Sequence, residues 1–220
     1  MTAGASVFEK SQVKTIKVKR DHAVISTEKA IIKAQKVVLA CNGYLGNLFP
    51  PIASNIMPIN NFMVATEPLD DATVNRINPL DASLSDSLFV INYWKLSEDR
   101  RLIFGGGETY SDKFPESITD FVRPKLLAIY PELSNVRLDY GWGGTLAITR
   151  NRMPDLGVNK GVVYYAQGFS GHGVPTATMA GKLIATAIDA GCDDFDLVSG
   201  LKTPGSYTHL RAHETRSTRG

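Results

Sequence analysis

Cysteine is scarce: Cys41 and Cys192 are the only two in 220 residues, too few for a disulfide framework, and no Cys/His cluster has zinc spacing. That usage fits a reducing compartment better than an oxidising one. No apolar run approaches the roughly 20 residues that a bilayer-crossing helix needs, and the first residues lack the apolar core of a signal peptide. The expectation is a cytoplasmic chain with no membrane span. An excess of one charge is missing too, with 24 Lys+Arg against 22 Asp+Glu. What excess there is lies in residues 203–220, where Arg211, Arg216 and Arg219 face only Glu214. The rest is neutral, which argues against a nucleic-acid or anionic-membrane surface. Ser-His-Asp and Cys-His arrangements, a P-loop and HExxH are absent, so hydrolase and NTPase chemistry have no support.

What is present is the composition of a folded domain, 43% hydrophobic and 21% charged, at a length that suits one large domain or two small ones. Short β-type runs at 13–18, 23–27 and 31–34, separated by polar turns, read as an antiparallel meander. Residues 36–40 (KVVLA) form a strand without alternation, the pattern of burial on both faces in a parallel sheet. Runs at 57–67, 88–95 and 102–106 follow without intervening helices, which indicates an antiparallel sheet. Ile118, Val122, Leu126 and Ile129 share one face of a helix over 118–130, with Pro124 expected at its start or at a kink. A strand returns at 137–146. Strand 161–167, a glycine loop and helix 174–190 then make a βα unit, with Pro175 in the first turn and Gly191 past the end. From about 203 onward periodicity is lost. That stretch resembles a translated sequencing adaptor and is expected to be non-native and unpacked.

The loop Gly168-Phe169-Ser170-Gly171-His172-Gly173 carries the best local chemical signal. Glycines between a strand and a helix let a backbone approach a ligand closely. The helix start behind them offers unpaired N–H groups and a partial positive charge, suited to an anion or a group that becomes anionic. A tight strand-to-helix turn with no ligand accounts for the same residues. His172 reads as a base, a hydrogen-bond donor or a bystander. Gly105-Gly106-Gly107 reads as a pocket lining or a bulge. Tyr93 and Trp94 alternate, so only one of them faces any given cavity. No metal site is expected.

Six segments stand in one order: GASVFEKSQVKTI (4–16), VVLACNGYLG (37–46), MPINNFMVATEPL (57–69), NYWKLSEDRRLIFGGG (92–107), WGGTLAITRNRMPDLG (142–157) and YAQGFSGHGV (165–174). Together they resemble the C-terminal half of the D-amino-acid-oxidase-like FAD-dependent oxidoreductases, nearest the gamma-glutamylputrescine oxidase subgroup. The resemblance covers residues 4–202. It implies an α/β (α+β mixed) fold, a partial Rossmann-like FAD-binding domain plus an antiparallel-sheet substrate domain. The expected division is 1–49 and 147–202 for the FAD part, 50–146 for the substrate part, and 203–220 as the non-native tail.

The cofactor implied is FAD. Val13 would hold the adenine through its backbone, and Ala40, Asn42 and Gly43 would pass by the cofactor. Gly168, Ser170, Gly171, His172, Gly173 and Val174 would lie against the flavin ring, with His172 as the catalytic candidate. Tyr93, Trp142 and Arg150 are the substrate candidates. The partners implied are a small-molecule amine and O2 or another electron acceptor. Three departures accompany the resemblance. The GxGxxG that grips the FAD pyrophosphate would fall upstream of Met1, which suggests a fragment. The region after Trp142 reads Gly143-Gly144-Thr145-Leu146, without the arginine by which relatives bind an amino-acid carboxylate. Ile103 stands near the position of the oxygen-activating lysine of sarcosine oxidases. A quinone-linked amino-acid dehydrogenase and a non-catalytic truncated product remain the alternatives.

Overall fold

A computed structural model describes residues 4–111 and 113–201. In chain order its elements are β1 (Thr15–Val18), β2 (Ala23–Ser26), β3 (Ile31–Ala34), β4 (Val37–Leu39), α1 (Pro50–Ala53), β5 (Met57–Thr66), α2 (Asp71–Ile77), β6 (Leu84–Ser85), β7 (Tyr93–Leu96) and β8 (Leu102–Thr109). They continue with α3 (Ile118–Ile129), β9 (Leu138–Ile148), β10 (Asp155–Asn159), β11 (Val163–Gln167), α4 (Gly173–Asp189) and α5 (Asp193–Ser199). Single 3-10 turns stand at Asn42–Tyr44 and Pro131–Leu133. The chain divides into two units, 1–58 with 146–220 and 59–145. The non-native tail expected from residue 203 onward lies outside the described residues.

In the first unit, β1, β2 and β3 form the antiparallel meander expected from the sequence, in that spatial order. A second sheet has the order β10-β11-β4, with β10 antiparallel to β11 and β4 parallel to it. Both faces of β11 are covered. Val163 joins a cluster with Leu39, Leu45, Phe49, Ile52 and Ile56, while Tyr164 and Ala166 pack with Ala180 and Ile184 of α4 and Phe195 of α5. This is the environment the unalternating run in β4 led one to expect for β4 itself. There the expectation needs correcting. β4 is the edge strand of its sheet, and although Leu39 is buried, Val38 keeps 48% of its surface exposed. β10 and α5 had no signal in the sequence reading. β10 is short and contains Gly157, and α5 opens with acidic residues that mask its single buried anchor, Phe195.

The second unit is a sheet of order β6-β7-β8-β5-β9 with α3 on one face. Phe62, Val64, Leu96, Leu102 and Phe104 from the strands meet Val122 and Leu126 of α3, all of them buried. Burial of such side chains contributes about 1.5–3 kcal/mol each. Pro124 sits inside α3 rather than at its start. The carbonyl it leaves without a helix donor belongs to Asp120, four residues back and exposed. The strand expected over 88–95 is shorter, starting at Tyr93. Asp86 interrupts it by accepting from the N–H groups of Leu88 (3.2 Å) and Asn92 (3.0 Å), which folds 86–92 into the loop of the β6–β7 hairpin. The glycine triplet at 105–107 closes a register shift against β5, between Asn61 and Met63, so the bulge reading holds. Gly107 takes the positive φ of 81° there.

Candidate cofactor site

Parallel pairing aligns the carboxyl ends of β4 and β11 at one edge of their sheet. Ligands of α/β folds gather at such an edge. β4 leads through Ala40 and Cys41 into the 3-10 turn Asn42–Tyr44, and β11 leads through Gly168–His172 into α4. The two exits touch: the Gly168 N–H donates to Asn42 Oδ1 at 3.0 Å, across 126 residues of sequence. Ala40, Asn42, Gly43 and the run Gly168–Val174, all singled out in the sequence, therefore converge on one sheet edge. Val13 is half-buried just before β1.

The loop is tightly specified on its inner side. Gly168 is buried with φ +71°, and a Cβ there would run into the Thr149 side chain. Ser170, at φ +52°, donates its hydroxyl to the Gly168 carbonyl (3.2 Å) and accepts from the Thr149 N–H (3.3 Å). Its own N–H donates to the Ala147 carbonyl at 3.0 Å. The Ser170 hydroxyl is thus turned inward and occupied. Below the loop, Gln167 Nε2 donates to Asp155 Oδ2 (2.8 Å) and to the Ile52 carbonyl (2.8 Å), and Asn55 Nδ2 donates to the same carboxylate oxygen (3.0 Å). Thr149, Asp155 and Asn55 had no signal in the sequence, since their role exists only once distant segments meet.

The outer side is bare. A Cβ at Gly171 would meet nothing within 4 Å, and one at Gly173 only Phe169 at 3.8 Å. His172 is the N-cap residue of α4, exposed and with no side-chain capping bond, and Val174 is 90% exposed. Unlike Asp70 and Ser117, which cap α2 and α3 with side-chain oxygens, the N-cap residue of this 17-residue helix gives its first N–H groups no side-chain acceptor. Those donors and the dipole behind them make a seat for negative charge.

In the second unit, α3 covers one sheet face and leaves the other open. Trp94 belongs to the covered face, stacked on Phe104 (5.8 Å) with its indole N–H donating to the Tyr130 hydroxyl at 2.9 Å. Tyr93 therefore projects to the open face. Its ring lies across Gly105 and its hydroxyl donates to Asn61 Oδ1 at 2.8 Å. Burial pushes the Tyr93 phenol pKa up. A recess of about 290 Å³ beside it is lined by Met63, Ser83, Leu84, Tyr93, Lys95 and Ile103, together with Trp94. Trp142 faces the same open side, because the Cβ positions of its neighbours Gly141 and Gly143 point at Ile118 and Phe62 on the covered one. β7 and β9 are three strand spacings apart in the sheet, with Tyr93 on the one and Trp142 on the other. Arg150 lies in the first unit, exposed in the turn before β10.

Among the described residues, no group of three or more His, Cys, Asp or Glu side chains is placed to hold a metal. No helix among them is long and apolar enough to cross a membrane. Burial, helped by the Asp155 charge, pushes Tyr165 on β11 up to about 12. The folded chain then keeps a proton between pH 10 and 12 that the unfolded chain has lost, so stability falls as pH rises through that window. Urea midpoints at both ends of the window check this: the wild type should lose more stability than Tyr165→Phe.

The glycine loop and the uncapped helix start thus stand at the carboxyl edge of a parallel pair, in a chain that also builds an antiparallel sheet. The model of the FAD-dependent oxidoreductase (DAO) family matches residues 1–187, and the chain belongs to that family. It is 39% identical over 202 residues to a probable oxidoreductase OrdL of Rhizobium meliloti, covering 92% of this chain and 47% of that protein. It is 35% identical over 199 residues to the gamma-glutamylputrescine oxidoreductase of Escherichia coli, covering 90% and 46%. The chain thus spans about half the length of the curated relatives it matches. Among solved structures, L-proline dehydrogenase from P. horikoshii aligns with a TM-score of 0.69 at 27% identity, over 87% of this chain and 53% of that one. Glycine oxidase from Geobacillus kaustophilus aligns at 0.73 with 18% identity, over 89% and 52%, a likeness of fold.

Proposed function

We propose that this chain is the C-terminal part of an FAD-dependent oxidoreductase that oxidises an amine C–N bond to an imine, acting on a gamma-glutamylputrescine-like substrate. The observation that carries the reading is the convergence of Ala40, Asn42, Gly43 and Gly168–Val174 on one sheet edge, with an uncapped helix behind them. Residues 1–49 and 147–202 form the cofactor part in this reading, and residues 50–146 the substrate part. Free thiols at Cys41 and Cys192 support a cytoplasmic location.

FAD, when bound, supplies the two-electron acceptor. Gly171 and Gly173 leave room for a flat ring system to approach the backbone. The first N–H groups of α4 stabilise the negative charge that builds on reduction, and His172 adds a donor beside them. The substrate nitrogen must be unprotonated for its lone pair to form the C=N bond as the adjacent C–H leaves as hydride. The nitrogen's proton then goes to water, so no protein base is required. Hydrolysis of the imine formed from a primary amine gives an aldehyde and ammonia. The lack of arginine at 143–146 favours a neutral carbon next to the reacting nitrogen over an amino-acid head group.

The decisive experiment uses a protein of the relatives' full length that carries this segment. Anaerobic mixing with gamma-glutamylputrescine should bleach the oxidised-flavin absorbance faster than mixing with glycine or L-proline. A bound flavin that none of the three amines reduces would overturn the reading. Faster bleaching by L-proline would favour the amino-acid dehydrogenase reading, to which the 27% likeness to L-proline dehydrogenase lends weight.

A further inference from the structure

Two non-glycine residues with left-handed backbone meet on a single residue of the loop, Gly168. Asn42 (φ 46°) accepts from the Gly168 N–H, and Ser170 (φ 52°) donates to the Gly168 carbonyl. Such conformations are strained for residues with a side chain and persist where the surroundings over-determine them. Here each leaves its polar group occupied by Gly168. The Asn42 oxygen is used as an acceptor, and the Ser170 hydroxyl also receives the Thr149 N–H. We infer that Asn42 and Ser170 are positioning residues: they grip Gly168 by its N–H and its carbonyl and so fix where the first N–H groups of α4 stand. This assignment rests on the cofactor reading above and changes one part of it. Asn42 acts through the loop, by its carboxamide oxygen, rather than by contact with the flavin. A site that stabilises developing charge depends on donors held in place before the charge forms.

The test turns on the difference between the two carboxamide atoms. Asn42→Gly keeps the left-handed backbone and removes the acceptor; Asn42→Asp keeps both the backbone tolerance and an acceptor oxygen, and removes the Nδ2 donor. Hydrogen–deuterium exchange by mass spectrometry on the 220-residue chain, at low protein concentration, reads the peptide spanning Gln167 to Val174. In Asn42→Gly its exchange should quicken by about ten-fold, the effect of losing one partly buried hydrogen bond, while Asn42→Asp stays within roughly two-fold of wild type. In a full-length protein carrying the segment, Asn42→Gly should bind FAD roughly 5- to 10-fold more weakly. Unchanged exchange in Asn42→Gly, or equal loosening in both variants, would overturn the assignment. So would a loosened loop with unaltered FAD affinity and flavin potential. If the cofactor reading itself is wrong, the full-length wild type will carry no flavin while the exchange pattern stands, which separates the two failures.

Discussion

Gly173→Val in a full-length protein carrying this segment is expected to lose its flavin on purification while the fold survives. A Cβ at Gly173 meets only Phe169 at 3.8 Å, ordinary contact, so a side chain there is not opposed by the protein itself. It does enter the space in front of the α4 N-terminus, where overpacking a bound ring costs about 1–3 kcal/mol, or roughly 5- to 150-fold in affinity. Gly173→Ala should lie at the mild end of that range. His172→Ala should keep FAD yet slow flavin reduction by roughly 10- to 1000-fold, the span for losing one partner of a charge-developing group. Its flavin potential should fall, because the reduced anionic form loses a donor that the oxidised form needs less. The measurements are flavin content, thermal midpoint, rapid-mixing reduction rate and potentiometry. A Gly173→Val protein that stays fully loaded, with His172→Ala reduced at the normal rate, would return this loop to a plain strand-to-helix turn.

The largest loss of stability is expected at the centre of the second unit. Phe104 on β8 is fully buried, stacked on Trp94 and surrounded by Val64, Leu102, Val122 and Leu126. Phe104→Ala removes a ring from a packed interior and should cost about 3–5 kcal/mol, a large share of the 5–15 kcal/mol that holds a typical domain folded. Both tryptophans of the chain, Trp94 and Trp142, fall within residues 59–145. Tryptophan fluorescence in a urea titration therefore reports this unit, and its midpoint should drop sharply. A loss under about 1 kcal/mol would mean that the site collapses around the deletion.

Element by element, much of the architecture was legible before any coordinates. The meander of β1, β2 and β3, the amphipathic α3 and the βα unit of β11 and α4 follow from local signals: alternation, a 3.6-residue period, and Gly and Pro at the boundaries. The readings that failed depended on neighbours. Val38 carries the same apolar pattern as the residues of β11, yet it is half exposed because β4 is an edge and β11 is not. The run at 88–92 has strand composition, but Asp86 competes for its N–H groups and turns it into a loop.

Residue types and spacing by themselves determined that this chain holds a strand–glycine loop–helix unit at 163–189, and that an antiparallel sheet interrupts the α/β part. These are short-range properties, set by backbone preference and by which side chains recur on one face. Only the tertiary structure decided that β4 lies parallel to β11, that Asn42 thereby reaches the Gly168 N–H, and that Ser170 turns inward to Thr149 while Gly171, His172 and Gly173 stay bare. Pairing across more than a hundred residues depends on register and on the entropy of closing the intervening chain, and neither is written in any local window.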